Sequence, residues 1–218
     1  MYAQSTIEDR VAVVRLLPEP PKGRALRSAA DEVRCILADE WVCGIVVVIC
    51  DMGVHDRDAR SVEGSDALAA SLGTAAVPVA ATVCGRCSVE QMQIALACHI
   101  RFVAPDAVFA GLPDGSSLPL DEEAFQAQRL GVSADSLRSL RALGRTVTTQ
   151  DARRMGLARI ADDPVAAARD YLISLVKGRS PASIRAAMAS INNATRMPEN
   201  DACAEESRLF LELVHGSH

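Results

Sequence analysis

Residues 77–111 read VPVAATVCGRCSVEQMQIALACHIRFVAPDAVFAG, and this stretch decides the fold. Val77–Val83 has the apolar, β-branched pattern of a buried strand. A small-residue turn, Cys84-Gly85-Arg86-Cys87, leads to Ser88-Val89-Glu90-Gln91. Serine at an N-cap with glutamine three residues on is a reciprocal cap, in which each side chain satisfies a backbone donor of the other. Met92, Ile94, Ala95, Leu96 and Cys98 then make the helix apolar nearly all round, as in a buried helix. His99–Val103 reads as the next short strand. A strand, a turn, a buried helix and a strand place a helix N-terminus, with its free N–H groups, at the end of a sheet. That arrangement suits the stabilisation of a developing negative charge.

The chain has 218 residues, enough for one core with an appendage. Hydrophobic residues make up 49% and aromatics 3%, so aliphatic side chains must fill the interior. A net charge of −5 argues against a nucleic-acid or membrane-surface partner, which basic patches would favour. No apolar run is long enough to span a bilayer, and MYAQSTIEDR does not read as a signal peptide. Seven cysteines, an odd number, point to reduced thiols and a cytoplasmic protein.

Working outward, Val11–Leu16 reads as the first strand, stopped by Pro18, Pro20 and Pro21. Ala25–Leu37 follows as a helix, and Gly44–Cys50 as a strand buried on both faces. Ser61–Leu72 reads as a further helical segment and Ser133–Leu143 as another. Thr148 or Thr149 caps a helix that Gly156 stops. Pro164–Lys177, Ser180–Asn193 and Asp201–Val214 are three closing helices, with Pro164 and Pro181 in first turns.

These segments resemble the crotonase (enoyl-CoA hydratase/isomerase) superfamily. Pro78-Val79-Ala80-Ala81-Thr82-Val83 is similar to the family's "P-V-I-A-A-V" strand, and Ala95-Leu96-Ala97-Cys98-His99-Ile100-Arg101-Phe102 to its "A-L-A-C-D-I-R-I". Downstream and in order, Gly144–Leu157 is similar to "G-x-x-I-x-A-x-E-A-x-x-x-G-L". The resemblance implies an α/β fold, a spiral of ββα units over residues 1–163, with a helical C-terminal region over 164–218. In the family that region builds trimers or dimers of trimers, so a homotrimer or hexamer is expected, with a hetero-partner also open.

The implied substrate is an acyl-CoA or acyl-carrier thioester, with no separate cofactor and no metal. Lys22-Gly23-Arg24-Ala25-Leu26 sits where the family holds coenzyme A; Ala25 and Leu26 are contact candidates, and Lys22 and Arg24 candidate phosphate partners. The same turn also reads simply as a solvated basic loop. Arg57-Asp58-Ala59 falls on the family segment whose backbone gives the first oxyanion-hole donor. The family's glycine triplet at the central helix corresponds to Val89-Glu90-Gln91, which makes the Glu90 N–H the second donor. Two features oppose it: the Ser88 hydroxyl can itself accept the second- or third-position N–H, and the Glu90 carboxylate would repel an enolate unless protonated or turned away.

The hydratases' first glutamate falls on Gln93, a neutral amide that orients but exchanges no protons. Asp114, in Phe109-Ala110-Gly111-Leu112-Pro113-Asp114, is the nearest match to the second; Pro-Asp-Gly is also a turn tripeptide. Glu90 is either a substitute acid/base or a first-turn acid favoured by the helix dipole. The expected activity is acyl-thioester processing of the hydratase/isomerase type without the usual glutamate pair. The competing expectation is a catalytically inactive acyl-CoA-binding or subunit-partner protein. Cys84-x-x-Cys87, with Cys98 and His99, is incomplete as a four-ligand zinc site, and His55 is a lone loop histidine.

Overall fold

A computed structural model describes residues 1–17, 28–50, 59–109, 133 and 146–215. The chain opens with a hairpin, β1 (Tyr2–Glu8) and β2 (Val11–Leu17), in antiparallel register with Glu8 opposite Val11. Its two turn residues, Asp9 and Arg10, both lie at positive φ (48° and 66°). A turn of this hand matches the right-handed twist of the strands it joins. β1 is an addition to the sequence reading, which began the sheet at Val11.

Helix α1 spans Ala29–Ala38, behind an N-cap at Ser28 whose hydroxyl accepts the Asp31 N–H at 3.2 Å. The expected start at Ala25 falls among the undescribed residues, and the cap sets the helix start at Ala29 instead. β3 is Gly44–Ile49, buried along its whole length. α2 runs from Ala59 to Gly73. β4 (Val79–Val83) is also wholly buried. The turn after it is partly strand: β5 (Arg86–Cys87) pairs parallel with β7 (Val108–Phe109). Between them lie α3 (Val89–Ala97) and β6 (Ile100–Val103). β8 (Val147–Thr148) runs antiparallel to β7 and feeds α4 (Thr149–Arg154). Thr148 is the cap, in a reciprocal arrangement with Asp151, and Gly156 ends the turn at φ 73°. β9 (Arg159–Ile160) follows.

The strands form a six-stranded sheet, β1-β2-β3-β4-β6-β9, and a three-stranded one, β5-β7-β8. Apart from the β1–β2 hairpin, the large sheet is parallel, in keeping with strands buried on both faces. One face packs Ile45, Val47, Ile49, Val79, Ala81 and Val83 with Leu68 and Leu72 of α2 and Met92 and Ile94 of α3. The other packs Val11, Val46, Val48, Ala80 and Phe102 against α5 (Pro164–Val176) through Ala168, Leu172 and Val176. The core is therefore aliphatic, as the 3% aromatic content requires.

Two further helices close the chain, α6 (Pro181–Ala194) and α7 (Glu199–His215). They sit where the sequence placed them, with Ser180 as the α6 cap and Pro181 in its first turn. α7 buries none of its residues and leaves Phe210, Leu211 and Val214 exposed. Among the described residues, no helix is long and apolar enough to cross a membrane.

Candidate active site

The carboxyl ends of β3 and β4, with the helices that leave them, form the candidate site. β3 ends at Ile49 and is followed by Cys50; β4 ends at Val83 and is followed by Cys84 and Gly85, the latter at φ 70°. A left-handed residue there turns the chain sharply into β5 and α3, and glycine takes that conformation without strain.

Ser88 caps α3 as its sequence requires. Its hydroxyl accepts the Gln91 N–H at 3.3 Å, and Gln91 Oε1 accepts the Ser88 N–H at 2.7 Å. Gln91 goes further than a cap: its Nε2 donates to the Cys50 carbonyl at 3.2 Å. One buried side chain thus ties the first turn of α3 to the exit of β3. The sequence marks Gln91 only as a capping residue, because its third bond depends on a strand forty-one positions away.

Four N–H groups open the helix. Met92 donates to the Ser88 carbonyl at 2.9 Å and Gln91 to the Ser88 hydroxyl, so among the described residues the cap engages neither the Val89 nor the Glu90 amide. The hydroxyl takes the third-position donor, not the second. The Ser88 hydroxyl also donates to the Glu90 carboxylate at 2.9 Å, which turns that charge back onto the cap. Gln93 lies exposed on α3. Ala59 is the first residue of α2, so its amide belongs to a helix start as well. Arg57, Asp58, His55, Asp114, and Lys22, Arg24, Ala25 and Leu26 lie outside the described residues.

The cysteines divide by burial. Cys87 and Cys98 are buried, and burial pushes the Cys87 thiol up to about 12. The Cys98 thiol donates to the Ile94 carbonyl at 3.3 Å, and Cys87 to the Ser88 carbonyl at 3.6 Å. His99 accepts the Val79 N–H on Nδ1 at 3.0 Å. Among the described residues, no three His, Cys, Asp or Glu side chains come together in a metal-binding group. Arg101 is buried, donating Nε to the Leu157 carbonyl at 2.6 Å and a terminal nitrogen to the Cys98 carbonyl at 2.8 Å.

Solved structures of similar shape cover nearly the whole chain. An enoyl-CoA hydratase/isomerase family protein from Silicibacter pomeroyi superposes with a TM-score of 0.75 at 21% identity, over 98% of each chain. The chain has the crotonase fold. DspI of Pseudomonas aeruginosa gives a TM-score of 0.76 at 20% identity, over 99% of this chain and 96% of its own. An enoyl-CoA hydratase from Thermoplasma volcanium GSS1 gives 0.72 at 19% identity, over 100% and 94%. No protein-family model matches the sequence, and no curated protein matches it. The same architecture thus forms here on a sequence only 19–21% identical to those of these structural neighbours.

Proposed function

We propose that this chain is a divergent crotonase that processes acyl-CoA or acyl-carrier thioesters. The observation that carries the reading is the Glu90 N–H at the start of α3, beyond the carboxyl end of β4, which neither the Ser88 hydroxyl nor the Ser88 carbonyl engages. A thioester oxygen gains most from fixed donors aimed where its charge develops. In this reading the Glu90 amide is one donor, and backbone from Arg57, Asp58 or Ala59 supplies the other. The Glu90 carboxylate, held by Ser88, stays off the developing enolate. Asp114 is the acid/base, Gln93 an orienting amide, and Lys22, Arg24, Ala25 and Leu26 hold the coenzyme. The thioester is a substrate, and no other cofactor takes part. The exposed apolar residues of α7 fit a trimer or hexamer contact in a protein of the cytoplasm.

A second reading has its own support. Gln93 is neutral and exposed, and the Ser88 cap replaces glycines with a closed hydrogen-bond ring. Both favour a chain that binds an acyl-CoA, or a partner subunit, without turning anything over. Calorimetric titration with CoA, acetyl-CoA and crotonyl-CoA, with product formation followed in parallel, separates the two. Saturable binding with turnover that Asp114→Ala abolishes is the expected result. Binding without turnover of any thioester supports the second reading, and no binding at all overturns both acyl-CoA readings.

A further inference from the structure

The exits of β3 and β4 bring two thiols together. The parallel ladder pairs Ile49 with Val83, and the Cys84 N–H donates to the Ile49 carbonyl at 3.1 Å. The ladder ends at that pair, Cys50 and Cys84 are the next residues out of the two strands, and their thiols lie within hydrogen-bonding reach of one another. Adjacent strands run about 4.8 Å apart, inside the Cα window of about 4.4–6.8 Å that a disulfide bridges. Gln91 holds the Cys50 carbonyl, which fixes the backbone that carries the first thiol. Cys50 is exposed and Cys84 half-buried, so an oxidant from solvent meets Cys50 first. Burial, and after it the neighbouring Cys50, Asp106 and Asp163, raise the Cys84 thiol above its ordinary pKa. It therefore stays protonated and in reserve.

We infer that Cys50 and Cys84 form a two-electron redox pair, thiols when reduced and an intrachain disulfide when oxidised by a hydroperoxide. The Cys50 sulfur attacks a peroxide oxygen, the O–O bond breaks, and Cys50 becomes a sulfenic acid as the other oxygen leaves as water or alcohol. The Cys84 sulfur then attacks that sulfur, the S–S bond forms, the S–O bond breaks, and water leaves with the Cys84 proton. The thiols lose two electrons and two protons in all, and the peroxide is reduced. The pair differs from the Cys84-x-x-Cys87 spacing visible in the sequence, because Cys87 faces the core. It goes beyond the thioester reading and does not depend on it.

Cys35 and Cys203 are also exposed, so the test removes them with Cys35→Ser and Cys203→Ser. Graded hydrogen peroxide, alkylation and non-reducing peptide mass spectrometry are then applied to this variant and, in case the double change impairs folding, to the unaltered chain. The expected result is a Cys50–Cys84 linked peptide, the loss of two titratable thiols, and full recovery with dithiothreitol. Adding Cys84→Ser should convert the product to Cys50 sulfinic acid. The inference is overturned if Cys50 over-oxidises as fast with Cys84 present as without it, if Cys50 stays a free thiol, or if it links to Cys43 or Cys87.

Discussion

Arg101 donates its Nε to the carbonyl of Leu157 at 2.6 Å, across fifty-six positions of sequence. With its second bond, to the Cys98 carbonyl, this buried guanidinium joins the end of α3 to the segment that enters β9. Arg101→Met keeps much of the stem's packing but leaves both carbonyls without this donor. Hydrogen bonds to charged donors contribute about 1.5–3 kcal/mol, so a loss of about 3 kcal/mol is expected. Urea unfolding checks it, as a lowered midpoint with an unchanged slope.

Ser88→Ala removes the acceptor of the Gln91 N–H and releases the Glu90 carboxylate. A cap replaced by alanine costs about 1 kcal/mol, and by glycine only a few tenths. Thermal unfolding of Ser88→Ala and Ser88→Gly side by side should show the alanine variant melting distinctly lower. Equal melting temperatures would mean that the cap contributes little to α3.

The Cys87 thiol, raised by burial from 9.0 to about 12, gives a pH signature. Between those values the unfolded chain has lost the proton that the folded chain keeps. The folded state then binds more protons, so stability falls as pH climbs from 9.0 towards about 12, while below 9.0 this group adds no pH dependence. Cys87→Ala should flatten that alkaline slope in denaturant titrations across the interval. An unchanged slope would assign the effect to other groups.

Much of the fold is legible because its signals are local. Ser88 and Thr148 as caps, Gly156 as a stop, and Pro164 and Pro181 in first turns are each fixed by residues within a turn of one another. What the sequence hides is set at a distance. β1 carries mostly polar residues, four of its seven exposed, and only its pairing with β2 makes it a strand. β5 has two residues and exists through β7. Ala25-Leu26 has helical composition, but the Ser28 cap fixes the start of α1 at Ala29. At the site, the reading of α3 anticipated the Ser88 cap, yet the Gln91–Cys50 bond and the approach of Cys50 to Cys84 follow from the pairing of β3 with β4, which no short window of sequence contains.

The Gln91 side chain has a mechanical consequence. Because one amide grips the helix start with its oxygen and the strand exit with its nitrogen, the two cannot slide independently. If the proposed thioester site lies here, widening it at this corner would break the bond between Gln91 and the Cys50 carbonyl.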